Sequence, residues 1–309
     1  MPLRDQLVTS LPLARICWAA LVALAAPTAS SSAAETTATY ELLILAGQSN
    51  AVGYDAKPSE LPADAIDKTI LFWWKTGDPP PDEHDSTSGG WTHLKPQPLG
   101  KPKTPRAGRQ YGNFAQPDGG FGPEISLARR IASQPNGPKV AVVKAAFSGT
   151  SMAQDWNPDD PGDGGSCYRA LVTQTRAAIA AAQTEGKMLR LRGFFWVQGE
   201  SDANATAAPM YQQALARMLA ALRRDLDAPQ LPAFLSVNTQ FGGGKNPFLP
   251  QVIAAQRALD AVEPSTVYVD TETAAIANAV HWNAAGTLDV GERFARALLA
   301  WEAEHRANP

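Results

Sequence analysis

Four short blocks hold the side chains that could do chemistry. Ser49 lies in Gly47-Gln48-Ser49-Asn50, directly after the apolar run 42–46. A serine there can present its hydroxyl as a nucleophile if a base is near, and its own N–H can face a developing anion. Ala51 follows where a nucleophile elbow would need a second glycine, so this is not G-x-S-x-G. Gly149, between Ser148 and Thr150-Ser151, can offer a backbone N–H with no side chain in the way. Gln198, Glu200 and Asp202 follow the run 191–197, and His281 stands in Val280-His281-Trp282-Asn283. Taken singly, each has an ordinary reading as a turn residue, a cap or a packed histidine. Taken together, they are a nucleophile, anion donors and a base, the set that acyl transfer needs.

Positioning these blocks requires a scaffold whose loops meet at one edge. Apolar, β-branched and aromatic runs at 42–46, 69–74, 140–145, 191–197, 233–238 and 267–270 read as strands covered on both faces. Between them, 123–133, 169–183, 209–225, 250–262 and 284–305 read as helices. In the third, Tyr211, Leu215, Met218 and Leu222 form a stripe at helical spacing, and Pro250 suits the first position of the fourth. Strands separated by single helices imply a parallel sheet in a three-layer α/β/α domain, with ligand loops after the strand C-termini. The irregular stretch 77–122, with Pro79-Pro80-Pro81, has the length of a functional loop.

Composition narrows the class. The 309 residues are 44% hydrophobic and 18% charged, with a formal net charge of -3. A core can form, and no basic excess exists to track a nucleic acid. Arg4 and Arg15, the apolar run 16–26 and Ser32-Ala33-Ala34 read as a signal peptide over 1–34, implying a secreted or periplasmic domain over 35–309 with no membrane span. Beyond that segment only Cys167 remains, expected to be a structural thiol. His84, His93 and His305 read as surface residues. No cluster has metal-ligand spacing, so neither metal nor cofactor is expected. The run 155–163 (DWNPDDPGD) lacks EF-hand spacing and reads as a solvated turn.

G-Q-S-N at 47–50, F-G-P-E at 121–124, F-S-G-T-S at 147–151, W-V-Q-G-E-S-D at 196–202 and H-W-N-x-x-G at 281–286 resemble the SGNH hydrolase superfamily. More narrowly they resemble its sialate O-acetylesterase and acetylxylan esterase branch, over roughly 42–299. The resemblance implies a flavodoxin-like α/β/α fold and metal-free removal of acetyl groups from sugars. It also implies Gly149 and Gln198 at oxyanion positions.

The residues fit that mechanism, with Ser49 as nucleophile, His281 as base, and Ser49, Gly149 and Gln198 as the oxyanion donors. Gln48, Asn50, Trp156 and Trp282 are the expected substrate contacts, with Trp91 as a further aromatic face. The partner would be an acetylated glycan or small acetylated sugar, bound by a monomer. One departure concerns the third member of the triad. The family commonly has Asp three residues before its histidine, whereas this chain has Asn278. Glu200 is the expected replacement, ahead of Asp270 and Glu272. A lipase or thioesterase, or a glycan-binding relative without catalysis, are the alternatives.

Overall fold

The computed structural model describes residues 38–79, 81, 85–100 and 113–307. The N-terminal segment read as a signal peptide and His84 lie outside the described residues. In chain order the elements are β1 (Ala38–Gly47), α1 (Ser49–Val52), β2 (Leu71–Gly77), β3 (Ser86–Thr87), β4 (Thr92–His93), α2 (Glu124–Ala132) and β5 (Lys139–Phe147). They continue with α3 (Met152–Asp155), α4 (Ser166–Thr184), β6 (Lys187–Val197), α5 (Tyr211–Asp225), β7 (Ala233–Ser236), α6 (Leu249–Val262), β8 (Thr266–Tyr268) and α7 (Ala284–Ala307). Each strand and helix expected from the hydrophobic pattern is present. The additions are α1, α3, β3 and β4, which are two to four residues long and too short to show a period.

The sheet runs β3-β2-β5-β1-β6-β7-β8, with β4 also paired to β2. All pairs are parallel except those made by β3 and β4. The sheet is thus a parallel one with two short antiparallel additions on β2, both within 77–122. β5 lies between β2 and β1, which puts β1 in the middle of the sheet and Ser49 at the centre of its C-terminal edge.

Alternation along β1 builds the three layers. Leu42, Ile44 and Ala46 join the core that includes Leu171 of α4, Leu215 and Met218 of α5, and Val252 of α6. Leu43 and Leu45 join the opposite core with Ile125 and Ile131 of α2 and Phe294 and Leu298 of α7. Successive strand side chains point to opposite faces, so a continuous apolar run is what a sheet covered on both sides needs. Cys167 is a buried thiol in α4.

One charged group crosses this frame. Lys144 of β5 is fully buried; its ammonium donates to Val52 O at 2.8 Å, Gln97 Oε1 at 2.7 Å and Glu124 Oε1 at 3.0 Å. Glu124 Oε1 also accepts from Gly122 N at 2.9 Å. The three ammonium hydrogens are all used, the condition under which a buried ion pair is tolerated. The pair ties the sheet to the last residue of α1, three positions beyond Ser49. Burial pushes the Lys144 ammonium below its usual range, opposed by Glu124.

Candidate active site

Two glycines place Ser49, the candidate nucleophile. Gly47 adopts φ +139 and a Cβ there would lie 2.0 Å from Val197 O, so β1 can turn off the sheet only at glycine. Gln48 N donates to Val197 O, and Ser49 opens the single turn of α1. Gly53 (φ 82) closes that turn in the left-handed conformation and sends the chain back toward the serine. Tyr54 and Asp55 follow at once.

His281 comes from the other side of the edge, in a turn between Ile276 and Trp282, which form an isolated antiparallel bridge. Its Nε2 lies 2.9 Å from Ser49 Oγ and its Nδ1 lies 2.6 Å from Asp55 Oδ2. A carboxylate can only accept, so Nδ1 carries the proton and Nε2 is left to accept from the serine hydroxyl. Tyr54 packs on the imidazole with ring centroids 4.7 Å apart. Burial holds the His281 pKa below its ordinary 6.5, and the hydrogen bond and charge of Asp55 oppose that shift. The histidine is therefore a neutral base at pH 7.

The carboxylate that meets the imidazole is Asp55, a residue the sequence reading missed. Glu200 does not reach the imidazole. Its Oε1 accepts from Asn50 Nδ2 at 2.7 Å and from Asn238 N at 3.1 Å, and burial raises its pKa. Asp270 is engaged with Arg257 and the N–H of Glu272. Asn278 serves both sides of the relay: Nδ2 donates to Asp55 Oδ2 at 3.0 Å, while Oδ1 accepts from Val280 N at 2.9 Å and His281 N at 3.0 Å. The carboxylate expected at 278 is thus supplied from 55, and the amide at 278 holds it. The available signal was an acid six residues past the serine, two beyond the glycine that closes its turn.

Three further expectations are corrected. Gln198 is fully buried, and its Nε2 donates to Thr150 O at 3.0 Å and Asp202 Oδ2 at 2.5 Å, which uses both amide hydrogens. It braces the loop after β5 and has no amide hydrogen left for an oxyanion. Asn50 is 2% exposed and spends its amide on Glu200, Val280 O and Trp282 N. It latches the histidine turn, with both amide hydrogens spent within the protein. Trp156 and Trp282 are 0% and 1% exposed, so neither offers a face to a sugar. Trp156 packs edge-on against Trp196 in the core, and Trp91 packs on Trp73. In 155–163, Asn157 Oδ1 and Asp160 Oδ1 accept from Asp159 N and Gly162 N, the bonds of an ordinary turn.

Ser49, His281, Gly149, Gln48 and Ser201 line one cavity of about 240 Å³, with Tyr54 and Phe241 as its aromatic members. Gln48 Oε1 accepts from Ser201 N at 3.3 Å, which leaves the amide NH₂ as the side chain's remaining hydrogen-bonding group. Gly149 adopts φ 67 in the loop after β5. Among the described residues, no three His, Cys, Asp or Glu side chains are placed to hold a metal ion, and no helix is long and apolar enough to cross a membrane.

Residues 39–300 match the family profile described as carbohydrate esterase, sialic acid-specific acetylesterase. The chain belongs to this family. It is accordingly a carboxylic ester hydrolase of the SGNH type. No curated protein matches it by sequence. Among solved structures, a protein from Arabidopsis thaliana is 20% identical, with 84% of this chain and 98% of that one covered and a TM-score of 0.59. The protein NanS is 19% identical over 87% of this chain and 98% of its own, with a TM-score of 0.58. A carbohydrate acetylesterase from Xanthomonas citri is 19% identical over 83% of this chain, with a TM-score of 0.52; this chain covers 55% of that longer one. At such identities these are likenesses of fold.

Proposed function

We propose that this esterase removes O-acetyl groups from carbohydrates through a covalent acetyl-enzyme on Ser49. The observation that carries the reading is the continuous relay from Ser49 Oγ to His281 Nε2 and from Nδ1 to Asp55 Oδ2. Ser49 Oγ attacks the ester carbonyl as Nε2 takes its proton. The carbonyl oxygen becomes an anion that accepts from the N–H groups of Ser49 and Gly149 and from the Gln48 NH₂, each donor lowering the barrier by roughly 2.7–4 kcal/mol. As the C–O bond to the sugar breaks, the alkoxide takes the proton from Nε2. Water then gives a proton to Nε2 and its oxygen to the acetyl carbon, and acetate leaves with the Ser49 proton restored. Asp55 steadies the imidazolium in both halves. Tyr54 and Phe241 supply ring faces, and Gln48 an amide, at the mouth where a sugar would lie.

The test is acetate release from a panel of acetylated glycans by the native chain and by Ser49→Ala, together with labelling by an organophosphonate. The native chain should release acetate and take the label, and the variant should do neither. A variant that still labels would reject Ser49.

A further inference from the structure

A second cavity of about 520 Å³ adjoins the first, sharing Gly149 and Ser201 with it. Met152 and Ala153 of α3, together with Ala207 and Met210 just before α5 and Ala214 in its first turn, form its apolar wall. Neither Ser49 nor His281 borders it. The two cavities differ in what they leave for a ligand.

In the larger cavity the side chains of Asn204, Asp202 and Ser151 are spent on the protein. Asn204 accepts from Thr206 N and Ala207 N and donates to Ser201 O. The Asp202 carboxylate accepts from Met152 N and the Gln198 amide, and Ser151 Oγ from Gln154 N. What remains is the methyl and thioether wall, including Met210, which is 58% exposed and can adapt its shape to a ligand, with Gln154, Ser201 and Thr206 as further polar side chains of the lining. In the smaller cavity, by contrast, Ser148 Oγ and Glu200 Oε2 are buried with no partner among the described residues. Polar atoms without partners suit sugar hydroxyls; a satisfied apolar wall suits hydrocarbon.

The reaction geometry decides which part of the ester goes where. The leaving oxygen must take its proton from His281 Nε2, so the alcohol lies on the His281 side. The acyl substituent leaves the carbonyl carbon away from the alcohol, and the neighbouring space on that side is the second cavity, which meets the first at Gly149 and Ser201. Resting on the esterase reading above, we infer that the larger cavity receives the acyl chain, so that the enzyme also hydrolyses esters of short-chain fatty acids longer than acetate. A cavity of this size falls within the roughly 300–1,000 Å³ of ordinary ligand pockets, and an acetyl methyl would leave most of it to water.

The experiment is a chain-length series of p-nitrophenyl acetate, butyrate and hexanoate, run beside an acetylated oligosaccharide. The native chain should hydrolyse butyrate with kcat/KM at least equal to that for acetate. Ala214→Trp, which fills the cavity, should cost butyrate and hexanoate about tenfold or more, the worth of two or more buried methylenes, and change both acetyl substrates little. Met210→Glu, at an exposed position that does not threaten folding, should show the same selectivity. Native hydrolysis of acetate with butyrate a hundredfold slower would overturn the inference while leaving the esterase reading intact. Loss of the acetylated oligosaccharide alone in Ala214→Trp would also overturn it, because the cavity would then hold sugar. No hydrolysis of any ester, p-nitrophenyl acetate included, would remove the esterase reading and this inference with it.

Discussion

Replacing Asp55 by Asn removes the charge from the relay and keeps its shape. Both side chains are largely buried, with Asp55 16% and His281 14% exposed, so water screens the pair weakly. Taking the charge centres about 4 Å apart and an effective dielectric of about 20, the carboxylate stabilises the imidazolium by about 4 kcal/mol. At about 1.36 kcal/mol per decade that is close to three decades in kcat. Asparagine can also donate to Nδ1 and so select the wrong tautomer; the same change in a serine-protease triad costs about 10⁴. The expected loss in kcat is therefore 10³ to 10⁴, with KM nearly unchanged, because the pair acts on the transition state. The pH profile gives a second, independent readout. kcat/KM rises with pH as His281 loses its proton, and burial already sets that limb below 6.5. Asp55 contributes the influences that raise this pKa, so removing it should move the limb further toward acid even as the rate falls. Steady-state kinetics from pH 4 to 8 on p-nitrophenyl acetate would measure both. A loss below tenfold, or an acid limb that stays put or rises, would refute the assignment of Asp55.

Glu200→Gln should cost far less than Asp55→Asn, about tenfold in kcat, because Glu200 Oε1 meets the histidine turn only through Asn50 and Asn238; an equal or larger loss in parallel assays would return Glu200 to the relay. Asn278→Asp would set a second carboxylate about 3 Å from Asp55, and the two would share a proton. Because the shared proton leaves the pair with the single negative charge that Asp55 carries alone, the acid limb should move little, unlike in Asp55→Asn, while the rate should fall by about tenfold or more as Asp55 is engaged by its new partner. Lys144→Met strands a buried carboxylate and should lower stability by about 3–5 kcal/mol in denaturant unfolding, whereas the double change with Glu124→Leu should recover much of it.

The sequence made the scaffold and two of the three relay residues legible for one physical reason. A strand buried on both faces must end in a turn at a known edge, so polar residues just past 46, 147, 197 and 270 had to share a crevice. Asp55 escaped because its position depends on the left-handed turn at Gly53, which brings the chain back beside Ser49; spacing from the histidine carries no trace of that. Gln198 and Asn50 were placed at the right edge but read as facing the ligand. Whether a polar side chain at a strand end points outward or braces a neighbouring loop is set largely by partners far along the chain, here Thr150 for Gln198 and Val280 and Trp282 for Asn50. Trp156 and Trp282 sit in segments rich in Asp, Asn and Gly, yet large aromatic side chains gain most by full burial, and both are in the core.

The turn that carries His281 has a different standing from the sheet that carries Ser49. Residues 275 to 280 are all exposed, and the turn is held by polar contacts: Asn50 and Asn238 to Val280 O, Gly242 N to Ala279 O, Gln240 to Ala274 O, and Asn278 to Asp55. Segments with few apolar contacts open at lower free energy than the core around them. The base can therefore leave the nucleophile while every strand stays paired. Warming or mild denaturant would silence the enzyme before it melts, and it would recover at once on cooling, so that a fold-reporting signal would overestimate the conditions in which it works.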